Sequence, residues 1–176
     1  NAYTGGDITN YFFQVSHDGF SEALDRFSDF FKSPLFDKTY AEREVKAVNN
    51  EHEKNRLNDG WRGNYVSGLM SEPGHPVAKF GTGNKDTLSG DNGPALLEFY
   101  KRYYSASNMK LSLISNMPME SLSGAALKYF SDIPTRPVNI PTLSPEFRKP
   151  LHAQYRLLKI KTIKDVRSLE IDFPTL

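Results

Sequence analysis

Glu44 and Glu51 are the residues of this chain whose type and spacing could do chemistry. They stand in the run Arg43-Glu44-Val45-Lys46-Ala47-Val48-Asn49-Asn50-Glu51-His52-Glu53-Lys54-Asn55, which reads as helix. Seven residues advance an α-helix by about 700°, so the two side chains lie within about 20° of one another, two turns apart. On a helical wheel both point between Ala47 and Val48. Glu42, Lys46, Asn49, Asn50 and Glu53 gather on the far side, with Glu42 and Lys46 at the spacing of a surface ion pair. The pattern therefore turns Glu44 and Glu51 toward the body of the protein. An inward carboxylate needs a cation, hydrogen-bond donors or a metal ion. A pair of partly exposed acids bridged to Lys or Arg is the competing reading.

Composition narrows the choice. The chain has 176 residues, with 22 Lys and Arg against 21 Asp and Glu, a formal charge of +1. That balance leaves no electrostatic footprint for nucleic acid or an anionic membrane. No apolar run reaches the length of a membrane span. Cysteine is absent, which excludes zinc-thiolate sites, thiol catalysis and disulfides, so any metal must be held by His, Asp or Glu. The histidines are His17, His52, His75 and His152, and no pair has the i,i+4 spacing of a helical zinc pair. His52 lies about 100° from Glu51 on the wheel and reads as a packed or capping residue. His52-Glu53 does not open a zincin motif, because Arg56 stands where the second histidine is needed. His75, before a proline, reads as structural. Gly81-Thr82-Gly83-Asn84 lacks the lysine of a phosphate cradle. The first residue is Asn, with no leader-like segment after it, so the chain is expected to be an excised or processed piece. Its compartment stays open, the periplasm slightly favoured over the cytoplasm.

These residues need elements to hold them. An aromatic run predicts a strand from about Ile8 to Ser16. Asp18 is the expected cap of a helix whose Phe20, Ala23, Leu24, Phe27, Phe30 and Phe31 form one apolar stripe, ended by Pro34. Asp37 or Thr39 caps the helix of Glu44 and Glu51, which runs to about Asp59-Gly60. A further helical piece, Trp61 to Met70, follows a kink. Residues 72–93 form a long loop rich in Gly, Pro, Asn and Asp, a kind more often functional than decorative. Leu96 to Tyr104 and Leu122 to Phe130 read as helices. Met109 to Ile114, Tyr155 to Lys161 and Val166 to Phe173 read as strands, and Pro134 to Pro150 as a crossing linker. Strands mixed irregularly with long helices predict an α+β fold, a mainly antiparallel sheet packed with helices.

The helical run closely resembles the segment that supplies the third zinc ligand in the insulysin–pitrilysin metallopeptidases, the inverzincins with an H-x-x-E-H motif. Other matches follow in order along nearly the whole chain: Asn1-Ala2-Tyr3-Thr4, Ala23-Leu24-Asp25-Arg26-Phe27, Pro34-Leu35-Phe36-Asp37, His75-Pro76, Gly83-Asn84 and Tyr103-Tyr104-Ser105. The resemblance implies a zinc endopeptidase that degrades peptides by attack of metal-activated water. In it Glu51 would be the third zinc ligand and Glu44 the acid that orients a ligating histidine. Asn1, Ala2 and Tyr3 would offer main-chain groups to an extended peptide added as a strand. Trp61 divides between core and a wall of the pocket for the residue after the scissile bond.

H-x-x-E-H itself is absent from the chain. Residues 1–176 are therefore expected to be a single domain, the C-terminal part of the zinc-bearing peptidase domain, inactive alone. Its expected partners are the peptide substrate, the upstream segment with the missing motif, the second half of the parent enzyme, and a second copy through an exposed sheet edge. A catalytically silent homologue, acting as a binding or assembly subunit, is the alternative.

Overall fold

The computed structural model describes residues 1–71, 74–142 and 157–171. The chain divides into two compact units, Asn1–Phe36 with Pro94–Ile140 and Asp37–Gly93 with Pro141–Leu176. The architecture is α+β and rich in helix, with an antiparallel two-stranded sheet among the described residues.

The first unit opens on a hairpin. Strands β1 (Ala2–Gly5) and β2 (Ile8–Tyr11) pair Ala2 with Tyr11, Tyr3 with Asn10, Thr4 with Thr9 and Gly5 with Ile8. Gly6 takes φ +59° at the first central position of the two-residue turn, where a hairpin of this length wants a positive φ and glycine supplies it without strain. A short 3-10 turn, His17–Gly19, leads into helix α1 (Phe20–Lys32), and Asp18 makes no cap bond. The expected stripe of α1 is its packed face except at Phe30, which stays exposed. Leu24 and Ser28 are fully buried, and Phe27 meets Phe13, Phe31 and Phe130 edge-on. Helices α4 (Gly93–Tyr103) and α5 (Met119–Phe130) complete this core. The Tyr100 hydroxyl lies 2.7 and 2.9 Å from the carbonyls of Phe31 and Lys32 and so closes the C-terminal end of α1. The Tyr11 and Tyr104 hydroxyls bond each other, and burial, reinforced by that bond, pushes the Tyr104 phenol up from its ordinary range.

The second unit is built on helices α2 (Lys38–Arg56) and α3 (Asp59–Gly68). Asp37 is the cap of α2, accepting from the N–H groups of Thr39 and Tyr40 at 2.9 and 3.2 Å. The expected kink is a capped restart three residues earlier than the composition suggested. Asn58 accepts from Gly60 and Trp61 at 2.9 and 3.2 Å, ending α2 at Arg56 and starting α3 at Asp59.

The strand expectations fare less well. β2 stops at Tyr11 rather than Ser16. Met109–Ile114 is not a strand, nor are residues 157–161 and 166–171 of the two later segments; the remaining residues of those segments lie outside the described ones. A strand exists through its ladder, and these segments have no hydrogen-bonded strand neighbour among the described residues. Alternating sequence alone cannot supply one. Much of the Pro134–Pro150 linker also lies outside the described residues.

Candidate functional site

Helix α2 does not bury the stripe that carries its two acids. Glu44, Ala47 and Glu51 are exposed, as is Tyr40 one turn before them, so this stripe faces outward. The buried edge runs through His52 and Asn55, with Val45, Val48 and Asn49 half-buried beside it. The expectation that both acids turn toward the body of the protein is overturned, and the reason lies on that buried edge. His52 donates from Nδ1 to the Thr82 carbonyl at 3.1 Å, which fixes the proton on that nitrogen because a carbonyl only accepts. Asn55 donates to Thr82 Oγ1 at 3.0 Å, and Asn49 Oδ1 accepts from the Lys85 N–H at 3.1 Å. Buried polar groups are tolerable when each finds such a partner. Val45 and Val48 lie on this same side, so apolar packing and the three polar bonds to the loop turn α2 the same way.

The loop is shaped to receive them. Asn84 Oδ1 accepts from the N–H groups of Asp86 and Thr87, both at 2.9 Å, and Thr87 Oγ1 accepts from the Asn84 N–H at 2.9 Å. Phe80 sits in a ring of aromatics, 4.9 Å from His52, 5.4 Å from Tyr65 and 5.6 Å from Trp61, centre to centre. Trp61 keeps 37% of its surface exposed. A cleft of about 430 Å³ adjoins the buried edge of α2, with His52, Arg56, Arg62, Tyr65, Phe80 and Asn84 among its walls. Neither glutamate of the outward stripe lines it.

Glu44 and Glu51 have no hydrogen bond or ion pair among the described residues, so the reading of them as acids bridged to Lys or Arg finds no support there. No group of three or more His, Cys, Asp or Glu side chains among the described residues could hold a metal ion. Two carboxylates on one stripe fit a corner of a zinc site. They fall short of the three protein ligands a catalytic zinc takes, so the described residues do not make that site by themselves.

The hairpin edge belongs to the first unit. Asn1 and Phe12 exchange both main-chain hydrogen bonds at 2.9 Å, which makes them a bonded pair. Alternation along an antiparallel ladder then makes Tyr3–Asn10 bonded and Ala2–Tyr11 and Thr4–Thr9 non-bonded. Ala2 and Thr4 thus point their main-chain groups away from β2, whereas those of Asn1 and Tyr3 are engaged inside the hairpin. Sequence reasoning placed Asn1 to Thr4 on the edge strand and named the main-chain groups of Asn1, Ala2 and Tyr3; the ladder leaves those of Ala2 and Thr4 facing outward. That reasoning missed Asn55 and Thr82, although a His and an Asn three apart on a helix, followed by a Gly-Thr-Gly-Asn loop, was the available signal.

Two family models match the chain in succession, "Insulinase (Peptidase family M16)" over residues 1–74 and "Peptidase M16 inactive domain" over residues 92–175. The insulin-degrading enzyme of Homo sapiens is 40% identical over 176 residues, covering 96% of this chain and 17% of that protein. The Drosophila melanogaster insulin-degrading enzyme is 42% identical over 185 residues, covering 99% of this chain and 18% of its own length. The A-factor-processing enzyme of Saccharomyces cerevisiae is 38% identical over 180 residues, with 98% and 17% covered. Among solved structures, pitrilysin superposes with a TM-score of 0.71 at 37% identity, covering 77% of this chain and 15% of its own. The first half of the periplasmic protease PqqL from Escherichia coli gives a TM-score of 0.66 at 17% identity, covering 83% of this chain and 32% of its own, a likeness of fold alone. The chain spans less than a fifth of the length of these curated relatives.

Proposed function

Because the chain belongs to the M16 peptidases, the insulysin–pitrilysin family, we propose that it is part of a zinc-dependent endopeptidase in which Glu51 is one metal ligand and Glu44 orients another ligating side chain. The observation that carries this reading is the outward stripe of α2. Its two acids are left without protein partners among the described residues, while the polar side chains of the buried edge are all engaged. A carboxylate engaged by no cation of its own chain is available to a metal ion. The chemistry a catalytic zinc supplies is activation of water for attack on a peptide carbonyl.

In this reading β1 takes an extended peptide as a further strand. Ala2 and Thr4 offer it main-chain donors and acceptors, and the same edge can pair with a second copy of the chain. Trp61 walls the pocket for the residue after the scissile bond. The family's H-x-x-E-H pair and its general base are not in this sequence, so the chain by itself supports no turnover.

Zinc content is the direct test, measured on the full-length protein that contains this sequence. Glu44→Gln is expected to weaken zinc retention against a chelator roughly 10–100-fold, the cost of losing an outer partner, and Glu51→Gln by more, because it removes a ligand. Full retention in Glu51→Gln would sink the ligand assignment. Purified alone, the chain should hydrolyse no peptide; measurable turnover would overturn the division of labour proposed for it.

A further inference from the structure

Trp61 rests on a residue that has no side chain. A Cβ built on Gly81 would lie 2.7 Å from Cζ3 and 3.4 Å from Cη2 of the Trp61 indole, closer than carbon atoms can approach without something moving. The loop has little freedom to be what moves. One residue on, the Thr82 carbonyl and hydroxyl are held by His52 and Asn55 at 3.1 and 3.0 Å, and both of those side chains are buried. One residue back, the half-buried Phe80 packs edge-on against His52 and Tyr65. The indole is 37% exposed and lies tilted by 33° on Phe80, so it has open space on one side and packing on the other. Any side chain at 81 therefore pushes the indole outward rather than the loop inward.

We propose that Gly81 is a specificity determinant: its missing side chain lets the loop, pinned to α2 through Thr82, fix where the Trp61 indole stands and so set the size of the pocket that Trp61 walls. This rests on the reading of Trp61 as a pocket wall. The wall is then set by main chain. Gly81 is a positioning residue, and it acts only through Trp61.

The test uses the full-length protein, with peptides that carry a small or a large residue after the scissile bond. Gly81→Ala is expected to change the ratio of kcat/KM for large over small residues about tenfold, mainly through KM. It should also shift the fluorine NMR line of Trp61 in fluorotryptophan-labelled protein, that line being identified by its loss in Trp61→Phe. An unmoved Trp61 line in Gly81→Ala overturns the proposal. If Gly81→Ala lowers the melting temperature, the double variant Gly81→Ala/Trp61→Leu separates a clash with the ring from a general fault of the loop. Recovery of the melting temperature in the double variant supports the proposal, and no recovery counts against it. Should Trp61→Leu alone leave the size preference unchanged while Gly81→Ala still moves the Trp61 line, the pocket-wall reading falls and the positional effect of Gly81 stands.

Discussion

At the scale of single residues, the decisive contacts are those that the buried edge of α2 makes with the loop after it. His52, Asn55 and Asn49 each satisfy a bond to the loop of residues 82–85, and this sets how the helix is rotated. The outward position of Glu44 and Glu51 is a by-product of those contacts. It follows that Thr82→Val, which keeps the shape but removes the hydroxyl, strands the buried Asn55 amide. The expected loss is about 1–3 kcal/mol of unfolding free energy, the cost of an unsatisfied buried donor, read from denaturant midpoints. A loss near zero would show that Asn55 does not need Thr82. The identity of both acids was legible in the sequence, because their spacing on one helical stripe is a property of the chain alone. Which way that stripe faces was not legible. It depends on a partner about thirty residues downstream in the sequence, and the apolar pattern of α2 is too thin to reveal it.

At the scale of elements, helices were readable and strands only in part. β2 begins at Ile8 as expected, but the later strands are absent among the described residues. The packed stripe of α1, the Asp37 cap of α2 and the periodic cores of α4 and α5 are local facts, carried by residues three or four apart. A strand depends on a neighbour from elsewhere, so the alternation of Met109–Ile114 could not by itself make one. Between α2 and α3 the boundary turned on one side chain, Asn58, whose capping power composition understated. The N-terminal turn of α3 carries a second device. Asp59 accepts from the N–H groups of Ile163 and Lys164 at 2.8 and 3.0 Å, and Arg62 donates to the Lys161 carbonyl at 2.9 Å. The Ile163 bond, followed by that from Lys164, holds the Asp59 carboxyl below its ordinary value of 3.8. A carboxylate lowered in this way contributes its full hold above that ordinary value and loses it as pH falls through the folded-state value. Protection of the Ile163 and Lys164 amides, their slowing relative to exchange of the free amide at the same pH, should therefore hold through neutral and mildly acidic pH and drop only below 3.8. Asp59→Asn should remove that acid-dependent step, and an unchanged pH profile in the variant would refute the assignment.

For the whole molecule, the α+β class and the family were both legible, though for different reasons. The class follows from the mixture of elements. The family follows from short matches spread in order over the chain, none of them telling alone. The division into two units was not legible, because each unit is assembled from two stretches of sequence. A composition scan looks for a boundary along the chain. The boundary here lies between segments that alternate, with residues 94–140 of one unit placed inside the sequence of the other.

The bond from Asp59 to Ile163 joins residues 104 apart, so α3 leaves the ribosome long before the turn that grips its first residue. At synthesis rates of about 5–20 residues per second, the interval is roughly 5–20 seconds. Through that time the start of α3 has no turn to hold, and a chaperone or protease meets it in an open state. Nascent chains stalled with Ile140 as the last residue outside the ribosome should be cut readily near Trp61, whereas chains stalled after residue 171 has emerged should resist. Equal cutting of the two would show that α3 closes without its distant partner.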